Sequence, residues 1–84
     1  MKNVIDAIKA NHLGHCYEIT IERLNKGEFA DLINVEITDW WEDEQGEVTG
    51  SGDSRSREFS VTELGYSEAL KQARKTFDAY KQSI

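Results

Sequence analysis

Two runs of alternating polar and apolar residues, Cys16–Leu24 and Phe29–Trp41, flank Asn25-Lys26-Gly27-Glu28 and narrow the fold more than any other feature. Side chains alternate across a strand with period two, so Tyr17, Ile19 and Ile21 share one face with Ile33, Val35 and Ile37. Gly27 can take the positive φ of a tight turn, which predicts an antiparallel hairpin. Arg57–Thr62 puts Phe59 and Val61 on one side and predicts a third strand. Ala69, Leu70, Ala73, Phe77, Tyr80 and Ile84 then recur at helical spacing behind Ser67, a candidate N-cap. At the other end, Val4, Ile5, Ile8 and His12 fall on one helical face between Asn3 and Gly14, which predicts a short first helix. Glu42–Ser56, with three glycines, three serines and no long apolar residue except Val48, reads as a long connection. The expected fold is therefore α+β in the order α-β-β-β-α. It is a three-stranded antiparallel meander with both helices packed on the isoleucine face.

Eighty-four residues make one domain, 1–84, with one core. A chain of this length buries only about 60% of its unfolded surface, which leaves little room for an enclosed substrate cavity. Cys16 is the sole cysteine, so no internal disulfide forms, and a cytoplasmic setting is expected. The amino-terminal apolar stretch is broken by Asp6 and Lys9, unlike a signal peptide, and no apolar run approaches the roughly 20 residues of a membrane span.

Charge is unevenly distributed. Between Tyr17 and Asp53 the chain carries eleven acidic and two basic residues, a local −9 within a total of −6. Five of these acids, Asp39, Glu42, Asp43, Glu44 and Glu47, surround the adjacent Trp40 and Trp41. Such a concentration repels itself and calls for a cationic partner surface, while arguing against anionic membranes and phosphates. By strand parity Trp41 joins the core side and packs at its rim. Trp40 joins the opposite, open face with Glu18, Glu22, Glu36 and Glu58. An exposed tryptophan ringed by charge is a typical interface anchor.

Catalytic and metal chemistry finds little to use. His12-x-x-His15-Cys16 lacks the second ligand pair of a structural zinc site. His15 and Cys16, as neighbours on a strand, point to opposite faces and cannot pair as base and nucleophile. Glu42 and Glu44 have no apolar pocket to separate their pKa values, and the acids lack the spacing of a calcium-binding helical hand. No glycine loop of phosphate-binding form is present. No enzyme, no metal and no cofactor are expected.

The segment Arg57-Glu58-Phe59-Ser60-Val61-Thr62-Glu63-Leu64-Gly65-Tyr66-Ser67-Glu68-Ala69-Leu70-Lys71-Gln72-Ala73 resembles the end of AP2-type DNA-binding domains, where a Phe-Ser-Val strand leads through glycine into a helix. The expected element order is also similar to that of double-stranded-RNA-binding domains. These resemblances imply a nucleic-acid-binding module whose basic patch would be Arg55, Arg57, Lys71, Arg74 and Lys75. As a class, the short, acidic, disulfide-free chain resembles phage-encoded anti-CRISPR and other anti-defence inhibitors, several of which present carboxylates where a target expects phosphates. That resemblance implies a host-cell cytoplasmic inhibitor.

The expected function is that of a small acidic interaction protein that binds and inhibits a basic, nucleic-acid-binding partner by mimicking nucleic acid. Its partner-binding residues would be Glu18, Glu22, Glu36, Asp39, Trp40, Glu42, Asp43, Glu44 and Glu47. Direct nucleic-acid binding through the basic patch is the alternative.

Overall fold

The structure is a computed structural model that describes residues 2–25 and 31–84. The two alternating runs form strands. β2 spans His15–Asn25 and β3 spans Asp31–Glu42, paired antiparallel with Ile19 opposite Ile37 and Ile21 opposite Val35. The turn expected at Asn25–Glu28 lies, beyond Asn25, outside the described residues.

Two further strands correct the expected order. Residues Lys2–His12 form β1, an edge strand paired with β2, and not a helix. The register shifts between Val4 and Asp6, and this bulge lets Ile5 and Ile8 both pack against the core. Three residues apart, they would point to opposite faces of a regular strand. The i, i+3 spacing that imitates a helix is the imprint of the bulge. Val48–Ser60 forms β4 on the other edge, where a long connection was expected. Main-chain bonding to β3 builds this strand with almost no apolar side chains, since only Phe59 within it is buried. The sheet is a four-stranded antiparallel meander, β1-β2-β3-β4.

The helices follow. Ser60 Oγ accepts from the Glu63 backbone N–H at 3.1 Å, and this cap starts α1, Val61–Leu64. Val61 and Thr62 are therefore helical and do not extend the last strand. Gly65, at φ 79°, separates α1 from α2, Tyr66–Gln82, which begins one residue before Ser67. The order is thus β-β-β-β-α-α, in place of α-β-β-β-α. The apolar stripe of α2 matches its sequence spacing. Ala69, Ala73 and Phe77 are buried on Ile19, Ile21, Ile33, Val35, Ile37 and Phe59, with Leu70, Tyr80 and Ile84 at the margin.

One mismatch of lengths shapes the molecule. Seventeen helical residues extend about 26 Å, whereas strands of 11–13 residues extend up to about 44 Å. The longest dimension is 45 Å, so the sheet outruns its helix. Tyr66 meets Arg23 at one end of α2, and Tyr80 meets Arg55 near the other. Beyond the Ile19–Ile37–Arg55 row lie two more rows on the same face. These are Ala10–Tyr17–Asp39 and His12–His15–Trp41–Gly50.

Candidate functional site

The projecting end of the sheet gathers most of the acidic segment. Its tip is made by two turns. Leu13-Gly14 joins β1 to β2 with both residues at positive φ, 55° and 91°, as a two-residue hairpin of primed type requires. Asn11 Oδ1 accepts from the Gly14 N–H at 2.9 Å. The second turn, Asp43–Glu47, is held by Asp43 Oδ1, which accepts from the backbone N–H of Gln45 and Glu47, each at 2.9 Å. Gly14 bridges the turns, since its carbonyl accepts from the Glu42 N–H. Between them runs an open groove of about 510 Å³ lined by Asn11, Leu13, Gly14, Glu42, Asp43 and Glu44. Leu13 is fully exposed there, at 103%.

On the open face, Cys16 and Trp40 stand side by side over β2 and β3 and share one carboxylate. Trp40 Nε1 donates to Glu42 Oε2 at 2.7 Å and the Cys16 thiol donates to the same oxygen at 3.0 Å. The Cys16 thiol, and after it Trp40, holds the Glu42 carboxyl below its ordinary value. The same bond to Glu42, with burial second, pushes the Cys16 thiol up, so Cys16 is poorly suited to nucleophilic work. Glu18 pairs with Lys9 at 3.4 Å, Glu36 accepts from Thr38 at 3.2 Å, and Glu22 is buried. Glu44 and Glu47 are exposed at the tip.

The helix-side face of the same end carries a cluster that parity alone did not identify. His15 Nε2 bonds Asp39 Oδ2 at 2.7 Å, and the Tyr17 hydroxyl bonds His15 Nδ1 at 2.9 Å. Two proton arrangements satisfy this chain: Nε2–H donating to Asp39 while the phenol donates to Nδ1, or a doubly protonated ring donating to both. The imidazole lies flat on Trp41, with ring centres 4.1 Å apart and planes within 5°. Trp41 is 46% exposed because the helix stops short of it, whereas Trp40 is half-buried. The rim packing expected of Trp41 thus gives way to exposure. Beside it a cleft of about 260 Å³ is lined by Tyr17, Ile37, Asp39, Asp53 and Arg55. The signal for this cluster was present in the sequence: His15 and Tyr17 are two apart on one strand, and Asp39 and Trp41 two apart on the next. Only the register aligns them.

The structure does not gather the basic residues. Arg55 and Arg57 lie on β4 toward the helix, over Tyr80 and Phe59. Arg74 turns toward β1, where it binds Asp6 at 2.9 Å. Lys71 and Lys75 are exposed on the back of α2. Among the described residues no three His, Cys, Asp or Glu side chains converge to hold a metal ion, and no helix is long and apolar enough to cross a membrane. Compared with protein-family models, curated proteins and solved structures, the chain matches none.

Proposed function

We propose that this chain is a small acidic interaction protein that occupies a basic, nucleic-acid-accepting surface of a protein partner and inhibits it. The observation that carries this reading is the projecting sheet end. It is acidic at its tip and on both faces, whereas Lys71, Arg74 and Lys75 lie on the helix that stops short of it. Carboxylates displayed this way steer association with a cationic surface and add specificity. Leu13 supports the reading. A leucine at positive φ is unfavourable, and full exposure brings it no burial in return, so its place at the tip favours a role in contact with a partner. Glu42 and Asp39 serve first as internal hydrogen-bond acceptors, which leaves Glu44 and Glu47 as the freer charges, with Glu18 in an exposed pair with Lys9.

The test is capture of partners from lysate with the wild-type chain and with a Glu18→Gln/Glu44→Gln/Glu47→Gln variant. The captured protein is then titrated with labelled DNA. The wild-type chain should displace the DNA and the variant should fail to do so. If instead the chain itself binds the labelled DNA, with affinity falling steeply with salt, and loses it in an Arg55→Gln/Arg57→Gln/Lys71→Gln/Lys75→Gln variant, the nucleic-acid-binding module replaces this reading.

A further inference from the structure

Trp41 sits in an unusual setting for an exposed aromatic. One face of its indole is covered by His15, and His15 is immobilised by Asp39 on one nitrogen and Tyr17 on the other. On the other side the cross-strand neighbour is Gly50, so no β4 side chain shields the ring. A methyl group placed on Gly50 would touch Trp41 Cδ1 at 3.8 Å, ordinary contact, so glycine here leaves that side of the indole clear of a β4 side chain. One row inward, the β3–β4 register shifts between Thr38 and Trp40, so Asp39 faces both Gly52 and Asp53. Asp53 shares strand parity with Arg55, which stands opposite Ile37, so it lies on the helix-side face and lines the cleft with Asp39, while the bulge sets Gly50 and not Ser51 opposite Trp41. The Asp53 carboxylate has no ion pair or hydrogen bond among the described residues. Arg55, two residues further along the same strand and on the same face, also lines the cleft, with its guanidinium carbon 5.8 Å from the centre of the Tyr80 ring.

We propose that the free side of Trp41, together with Asp53, forms a slot for the side chain of an arginine on the protein partner. This deepens the reading of a basic partner and rests on it. A guanidinium is planar, stacks on an aromatic face, and presents paired donors that match a carboxylate. A lysine ammonium has the same charge but neither the plane nor the fork. Trp41 offers a flat indole and Asp53, diagonally inward across the β3–β4 register, a carboxylate, a pairing that suits the planar cation. Because His15, Tyr17 and Asp39 fix the platform before the partner arrives, little side-chain freedom is lost on binding. Trp41, and not Trp40, is then the aromatic anchor of the acidic end.

The test follows the indole N–H signals of ¹⁵N-labelled protein by NMR at low salt, with N-acetyl-arginine amide and N-acetyl-lysine amide as probes. The arginine probe should shift the Trp41 indole and the Gly50–Asp53 amides saturably, leaving the Trp40 indole in place. The lysine probe should bind the same place more weakly, by about twofold or more, for want of the planar stack and the paired donors. Trp41→Ala and Asp53→Asn should each abolish the arginine preference, and Asp53→Asn keeps the test valid should Trp41→Ala disturb the fold. Equal binding of the two probes, or shifts spread over every acidic residue, would overturn the slot. The Glu18→Gln/Glu44→Gln/Glu47→Gln variant separates the two ideas. Loss of partner capture with the arginine response intact supports both, whereas capture unchanged by that variant removes the acidic-prong reading and leaves the slot to the probe titration alone.

Discussion

Gly52→Ala tests the architecture of the projecting end, because its effect should change sign with the residue opposite it. Gly52 does not occupy the left-handed region, so alanine fits its backbone. In isolation the substitution would stabilise the protein by about 0.4–1 kcal/mol through loss of unfolded-state freedom. The new methyl, however, would overlap the Asp39 carboxylate. The carboxylate must swing away, and doing so breaks its 2.7 Å bond to His15. A charge-assisted bond contributes about 1.5–3 kcal/mol when well protected, and these side chains are each 24% exposed, so about 1–2 kcal/mol is at stake. The single variant should therefore lose up to about 1.6 kcal/mol net, a drop of up to several degrees in Tm for a domain of this size. With Asp39→Ala already in place the obstruction is gone, and Gly52→Ala should gain about 0.4–1 kcal/mol. Urea unfolding of the four proteins in the cycle, followed by far-UV circular dichroism, gives the coupling. Equal destabilisation in both backgrounds would show that Gly52 is needed for the strand and not for Asp39, and the account of the cluster would fail.

Leu13→Asn should stabilise the protein by about 0.5–1 kcal/mol, since asparagine tolerates the positive φ and a fully exposed leucine forfeits no burial. A thermal scan that showed no gain would argue against strain in that turn, and partner capture should weaken in the same variant. Glu42 sets an acid limb of stability. Bonds from Cys16 and Trp40 hold its folded pKa below the ordinary 4.5, so its contribution is complete above that value and is lost as pH falls through the lower, folded value. Asp6 beside Arg74 and Asp31 beside Arg23 act in the same direction. Glu42→Gln should therefore flatten the fall of Tm below pH 4.5, and an unchanged acid limb would refute the assignment.

The alternation of Tyr17–Ile21 and Ile33–Ile37 and the stripe from Ala69 to Ile84 decided from sequence alone that a hairpin would pack beneath a carboxyl-terminal helix. Each of those elements is periodic because it buries one side, and burial leaves its period in the residues. The acidic surroundings of the two tryptophans, and their placement on opposite faces, were legible for the same reason. The edge strands were not. β1 is bulged at Ile5, which turns a two-residue period into one that imitates a helix, and β4 buries almost nothing, so its strand character comes from main-chain pairing that no side-chain pattern records. The Ser60-x-x-Glu63 cap was in the sequence, but it competed with the apparent alternation of Phe59 and Val61. Which tryptophan is free was likewise a tertiary decision. Parity fixes the face but not the reach of the helix, and α2 ends before it can cover Trp41, while Glu42 draws Trp40 down onto the sheet. Meeting of His15, Tyr17, Asp39 and Asp53 depends on the register of three strands, and register is set by the whole sheet at once.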